Sequence, residues 1–270
     1  MEGGRFEAAL KRDNLIVSFA LATVAALAWW YVLWLAHDMR AASGTPATDM
    51  QDMNMPGMLS PQFAAWTLPH TLFVFAMWTV MMVGMMTPSA APMILIYSQV
   101  ARQAVTLGKQ FASAGWFAAG YLAVWTGFAL AATAAQYFLE RAALLTPMLA
   151  SANRFVGAGV LILAGFYQWT PLKGACLAQC RSPLHFVQQH GGFQSSPTGS
   201  LRLGILHGAY CVGCCWALMA LLFVGGVMNV LWIAAIAILV LLEKVVPGGR
   251  VLASATGGVA IAVGIWMLMS

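Results

Sequence analysis

Charged side chains are scarce in this sequence. Asp, Glu, Lys and Arg make up 8% of its 270 residues, whereas 61% are hydrophobic. A soluble domain carries roughly 25% charged residues, so the composition excludes an ordinary soluble protein and predicts a polytopic membrane protein. The sequence also has no Walker A loop, no dinucleotide-binding fingerprint and no HExxH motif. These absences argue against ATP-driven pumping by this chain alone, and we expect no enzyme activity.

Cysteines are few as well. The chain has five, and none falls in a predicted external loop. This excludes the disulfide framework of a small secreted protein.

The basic residues are unevenly distributed between the two predicted sides of the membrane. The side of the N-terminus holds Arg5, Lys11, Arg12, Arg102, Lys109, Lys173, Arg181, Arg202, Lys244 and Arg250, and the other side holds Arg40, Arg141 and Arg154. This bias fits the positive-inside rule, so membrane topology explains the net charge of +5 better than nucleic-acid binding does. We predict a multi-pass protein of the bacterial inner membrane with a cytoplasmic N-terminus, in contact with the lipid bilayer and not with nucleic acid.

Seven apolar segments predict an all-α transmembrane helix bundle. They cover residues 15–35, 70–97, 112–138, 154–170, 203–228, 230–243 and 251–269, and the sixth is short for a span of about 20 residues. The third and fourth segments are rich in glycine, which suits close helix packing. We divide the chain into an anchor helix with a flexible external loop, residues 1–65, and a six-span metal-binding domain, residues 66–270.

The fifth segment carries a face of sulfur and imidazole groups. At about 100° per residue, His207, Cys211, Cys214 and Cys215 share one arc of roughly 100° on a helix. Polar side chains inside a membrane are costly and usually mark a site, and thiolates with an imidazole suit Cu(I) or Zn(II). The alternative is that these cysteines only pack helices together.

Methionines form a similar pattern in the second segment. The residues on two neighbouring helix faces are Met81, Met82, Met85 and Met86. Pro88 and Pro92 follow, and they are expected to kink the helix and free backbone carbonyls beside the thioethers. Metal binding and ordinary packing or lipid contact are both open for these methionines.

Two further sulfur groups lie outside the predicted spans. Met53, Met55 and Met58 belong to a polar external loop, where thioethers stay metal-competent although thiols would oxidise. This pattern predicts Cu(I) capture, with an incidental Met-rich linker as the alternative. Cys176 and Cys180 lie in a predicted cytoplasmic loop and are neighbours if a short helix forms. They are either a metal relay or a structural pair.

Three landmarks recur in the same order in the two halves of the chain. Residues 82–86 match 211–215, residues 139–141 match 242–244, and Pro147 with 159–165 matches Pro247 with 258–264. A repeat of three spans must alternate in orientation, so residues 66–170 and 203–270 are predicted to be inverted repeats that meet at a midplane site.

The chain resembles a family of bacterial integral membrane proteins that are predicted to bind metal and have no other assigned function. The resemblance covers roughly residues 66–270. The segments that carry it are 82–88 with Pro92, Met93 and Tyr97; 169–173 with Cys176 and 180–183; 211–216 with Leu218 and Met219; and 226–229 with Glu243, Lys244 and Pro247. It implies a membrane location and metal binding, and it implies no reaction.

The leading hypothesis is a membrane protein that binds a soft ion, most of all Cu(I), and moves or delivers it to a metallochaperone or cuproenzyme. Zinc ranks below copper because thioethers are poor zinc ligands. The alternatives are a thiol–disulfide electron carrier built on Cys211 and Cys214 and a non-catalytic membrane assembly factor. Glu243 is interpreted as half of an ion pair with Lys244, or as a proton-coupling carboxylate.

Overall fold

The structure, a computed structural model, describes residues 2–43, 66–108, 112–146 and 149–270, with side chains for residues 17–37 of the first range. The elements in these ranges are all α-helices, as predicted. They are α1 (Glu2–Ser43), α2 (Leu68–Thr106), α3 (Ala114–Arg141), α4 (Arg154–Gln168), α5 (Pro171–Arg181), α6 (Pro183–Gln189), α7 (Pro197–Ala220), α8 (Leu222–Gly225), α9 (Val230–Val245) and α10 (Gly249–Met269). Met53, Met55, Met58 and Pro147 lie outside the described residues.

Several helices are long and apolar enough to cross a membrane. Within the described ranges there are five such segments, in α1, α2, α3, α7 with α8, and α10. Helices α4 and α5 meet at 65° and would make a sixth if they form one broken span. Helix α9 has 16 residues, fewer than the roughly 20 that a span needs. These helices fit an integral membrane protein, whereas seven spans and two inverted repeats stay predictions.

Local sequence fixes where several helices begin. Thr170 precedes α5, and its hydroxyl accepts a hydrogen bond from the Lys173 backbone N–H at 3.3 Å. Ser196 does the same for α7, through the Gly199 N–H at 3.1 Å. A proline follows each cap, where its missing N–H costs no helical hydrogen bond.

Glycines bring α3 and α7 into backbone contact. A Cβ atom on Gly120 would lie 2.2 Å from the Leu201 carbonyl oxygen, and one on Gly204 would lie 2.0 Å from the Phe117 carbonyl oxygen. Neither position has room for a side chain, so small residues set the distance between the helices. The glycine-based packing predicted for the third segment is therefore confirmed at Gly120.

The same arrangement joins α4 to α10. A Cβ atom on Gly165 would lie 2.6 Å from the Gly257 carbonyl oxygen, and one on Gly257 would lie 2.9 Å from the Gly165 carbonyl oxygen. The bundle thus contains two tightly paired helix couples, α3 with α7 and α4 with α10. Helix α2 packs between α1 and α3 and also touches α9.

The prolines of the second segment do not interrupt α2. The helix runs from Leu68 to Thr106 through both Pro88 and Pro92, and the kink expected there stays a prediction. The hydroxyl of Thr87 donates to the Val83 carbonyl at 2.6 Å, and that of Ser89 donates to the Met86 carbonyl at 2.9 Å. The carbonyls that lose their helical donor to the prolines are those of Gly84 and Pro88, so these hydroxyl bonds lie in the proline-bearing turns but go to other carbonyls.

The segment after α4, expected as a loop with at most a short helix, is instead two packed helices. Helix α5 lies against α7, and it buries Lys173, Cys176 and Leu177. The short helix at Cys176 and Cys180 has formed as the spacing allowed, whereas the second helix, α6, was not expected because the segment is less apolar than a span and looks like a loop. Its apolar side chains, however, are spaced to cover one side of a short helix.

Candidate metal centre

Cys211 is a buried thiol whose polar partners come from two other helices. Its side chain is buried, with 1% of its surface exposed. The Sγ atom lies 3.1 Å from the Tyr121 hydroxyl of α3 and accepts a hydrogen bond from Lys244 Nζ of α9 at 3.0 Å. The Tyr121 hydroxyl also donates to the Met86 carbonyl of α2 at 3.2 Å. Cys211 therefore lies where α2, α3, α7 and α9 meet.

The next two thiols of α7 bond back to its own backbone. The Sγ atoms of Cys214 and Cys215 donate to the Cys211 carbonyl at 3.1 Å and 2.9 Å. Both side chains are buried. This back-bonding satisfies the thiol hydrogens without a partner helix.

A pair of thiols bridges α5 and α7. The Sγ atoms of Cys180 and Cys214 are 3.9 Å apart. A metal–thiolate bond of about 2.3 Å places two sulfurs on one ion roughly 3.8 Å apart at a tetrahedral angle and roughly 4.6 Å apart in a linear arrangement. The observed separation lies within this range, so the two thiols fit a shared soft ion.

Cys176 packs one turn before Cys180 on α5. Its Sγ atom faces Gly213, where an added Cβ atom would lie only 2.8 Å away. The hydroxyl of Tyr167 donates to the Gly213 carbonyl at a short distance. The expected helical pair of Cys176 and Cys180 has therefore formed, and both thiols lie against the cysteine-bearing stretch of α7.

His207 is buried one turn before Cys211. Its ring centroid lies 5.1 Å from that of Phe186, 5.7 Å from that of Phe117 and 5.9 Å from that of Tyr121. Its Nδ1 atom is buried and, within the described part of the chain, has no hydrogen-bond partner. A buried polar atom without a hydrogen-bond partner is costly, and a neutral imidazole can offer such a nitrogen to a metal ion.

The α2 methionines lie in the same buried core as the thiols. Met82 and Met86 have no exposed surface. Met81 and Met85 line a narrow gap beside α1, together with Ala28 and Ile233. The helix turn at Met86 is connected to Cys211 through Tyr121.

The donor set is thus a pair of thiols with further sulfur and imidazole groups nearby. Among the residues that the structure describes, no three His, Cys, Asp or Glu side chains are spaced as a ready-made metal site. The arrangement suits an ion that accepts two soft ligands, and it differs from a structural zinc site, which uses four.

Glu243 does not pair with Lys244 as the sequence suggested. Its Oε2 atom accepts a hydrogen bond from Lys173 Nζ of α5 at 2.6 Å, and the two side chains are 2% and 1% exposed. Its Oε1 atom accepts from Gln168 Nε2 at 3.2 Å. Successive residues on a helix project about 100° apart, so Glu243 reaches α5 while Lys244 reaches Cys211.

Sequence reasoning missed the polar groups that surround Cys211. Lys244 was assigned to the membrane boundary because it directly follows an apolar run, and Tyr121 looked like one of many aromatic residues. The Lys244 Nζ atom also donates to the Ser89 hydroxyl at 3.0 Å. No local signal could have identified these contacts, because each joins a different pair of helices.

Comparison with known proteins adds one result. Residues 75–267 match the family model described as PpoB2, copper chaperone. The matched region contains the cysteines, His207 and the four α2 methionines, while the loop methionines precede it. No curated protein and no solved structure matches the chain.

Proposed function

Since this chain belongs to the PpoB2 copper chaperone family, we propose that it is an inner-membrane protein that binds Cu(I) through cysteine thiolates and passes it to a partner. The observation that carries the proposal is the Cys180–Cys214 pair, whose sulfurs are 3.9 Å apart on two different helices. Thiolates are soft ligands that select Cu(I). The metal is the cargo of the protein and takes part in no reaction there.

The other sulfur groups extend this pair into a route. Cys211 and Cys215 lie within one turn of Cys214, and Cys176 lies one turn from Cys180. His207 contributes a free imidazole nitrogen at the next turn of α7. An ion can exchange among such donors without reaching a deep trap, because each site is weak enough to release it.

The methionines act before the cysteines in this proposal. Met53, Met55 and Met58 capture Cu(I) outside the membrane, and Met81, Met82, Met85 and Met86 of α2 accept it within the bundle. Thioethers bind Cu(I) and bind zinc poorly. Capture by the methionines would therefore already favour copper over zinc. Cys176 and Cys180 then hand the ion to a metallochaperone or a cuproenzyme.

The first test is to load the purified protein with Cu(I) under anaerobic conditions. We expect X-ray absorption to show sulfur ligation. Cys180→Ser and Cys214→Ser should each lower the Cu(I) affinity by more than the roughly 10- to 100-fold that loss of an outer-shell partner costs, since each removes a direct ligand. Met228→Leu is the control, because Met228 is buried outside the proposed route. Equal copper affinity in all three variants would contradict the proposal.

The second candidate function is thiol–disulfide exchange, and the same cysteine pair favours it. Cys180 and Cys214 could lose two electrons and two protons to a partner protein's disulfide and form a disulfide between α5 and α7. The test is to trap a mixed disulfide with a soluble thiol-redox protein. A trapped adduct at Cys180 or Cys214, together with no Cu(I) binding, would favour this function over copper delivery.

A further inference from the structure

Lys244 is a buried cation beside the proposed copper ligands. Its side chain is 7% exposed, and its Nζ atom donates to Cys211 Sγ and to the Ser89 hydroxyl, both at 3.0 Å. Within the described ranges, no carboxylate pairs with it. The adjacent Glu243 is already bound to Lys173 at 2.6 Å.

A buried positive charge needs a compensating negative charge nearby. The nearest groups that can carry one are the cysteine sulfurs, because the metal-binding form of cysteine is the anionic thiolate. Two thiolates with a monovalent ion carry a net charge of −1, so the buried unit is neutral once Lys244 is included. Two thiolates with a divalent ion are neutral, and Lys244 then leaves a net charge of +1.

We propose that Lys244 makes this site select metal ions by charge, favouring monovalent over divalent soft ions. The inference rests on the proposed function, because it assumes that two thiolates hold the cargo. Electrostatic interactions are strong in a low-dielectric interior, so an unbalanced charge at Cys211, within one turn of Cys214 of the ion-binding pair, discriminates even between metals that bind the same ligands. Lys244 acts as a specificity residue without being a ligand.

Ag(I) and Cd(II) are the probes for this test, since both are soft, redox-inert ions with filled d shells that differ in charge. We expect Lys244→Met to lower the Ag(I) affinity relative to the Cd(II) affinity by at least about tenfold, which is about 1.4 kcal/mol. Ser89→Ala is the matched control, because it removes a hydrogen-bond partner of Lys244 and keeps the charge. The ratio of the Ag(I) affinity to the Cd(II) affinity should therefore stay unchanged. Affinities would be measured by chelator competition at one pH in the detergent-solubilised full chain.

Lys244→Gln is the second variant, in case the methionine side chain prevents folding, and it should shift the ratio in the same direction. An unchanged Ag(I) to Cd(II) ratio in a folded, ion-binding variant would overturn the inference. Equal losses of affinity for both ions would also overturn it, because they would mean that Lys244 only supports the fold. Absence of Ag(I) binding to the unmodified protein would instead contradict the proposed function itself.

Discussion

Replacing Glu243 with glutamine is expected to lower the free energy of unfolding by about 3 kcal/mol. The substitution keeps the size of the side chain and removes its charge, which leaves the Lys173 ammonium buried without a counter-charge. Lys173 and Glu243 are 1% and 2% exposed, and their charged atoms are 2.6 Å apart. The measurement is the unfolding of the purified protein in detergent, followed by denaturant or temperature.

A double variant separates the contribution of the two charges to stability from the contribution of side-chain packing. Lys173→Met combined with Glu243→Gln removes both charges, and the amide oxygen of the new glutamine can still accept from Gln168. A buried ion pair that is replaced by uncharged groups of similar volume is often neutral for stability, so the double variant should be more stable than Glu243→Gln alone. A double variant that is less stable than both single variants would show that the charges do not explain the loss.

Substitution of Gly204 with alanine is expected to destabilise the protein by about 1–3 kcal/mol, as overpacking typically does. The added Cβ atom would lie 2.0 Å from the Phe117 carbonyl oxygen, so α3 and α7 would have to separate. Cu(I) affinity should fall as well, because the contact between Tyr121 and Cys211 crosses the same interface.

Gly127 provides the matched control for Gly204. It lies on α3, and nothing is within 4 Å of a Cβ atom placed there. Gly127→Ala should therefore be neutral or stabilising by roughly 0.5–1 kcal/mol, since alanine is the better helix former. If Gly204→Ala unfolded at the same temperature as Gly127→Ala, the close approach of α3 and α7 would not be needed for stability.

Features that depend on a single helix could be predicted from the sequence. The sulfur-bearing face of α7 follows from the helical repeat alone, and the structure buries all four of its residues. The short helix that carries Cys176 and Cys180 follows from the same repeat. Copper as the ligand, suggested by the mixture of thiols and thioethers, agrees with the family of the chain.

Contacts between helices could not be predicted in this way. Cys180 and Cys214 are separated by 34 positions, and Cys211 and Lys244 by 33. Helical periodicity reports which residues of one helix share a face and says nothing about which helix covers that face. The lysine next to Cys211 therefore emerges only from the packing of α9 against α7.

The two carboxylates at matching positions of the predicted repeat are both buried, but their contacts differ. Glu140 of α3 and Glu243 of α9 occupy matching positions in the two proposed copies. Glu140 accepts from Gln136 Nε2 at 2.8 Å, and Glu243 accepts from Gln168 Nε2 at 3.2 Å. Gln136 lies on the same helix as Glu140, whereas Gln168 lies on α4 and Glu243 on α9, so the two contacts are not equivalent and the repeat stays a prediction, as does its inverted arrangement.

The last turn of α9 carries both the buried ion pair and the lysine that contacts Cys211. Glu243 and Lys244 are consecutive in the chain, yet one is bound to α5 and the other to Cys211 of α7. Because the two residues are adjacent on one helix, the ion pair with α5 and the hydrogen bond to Cys211 share one turn of backbone. The ion pair that joins α9 to α5 thereby also fixes the position from which Lys244 reaches Cys211.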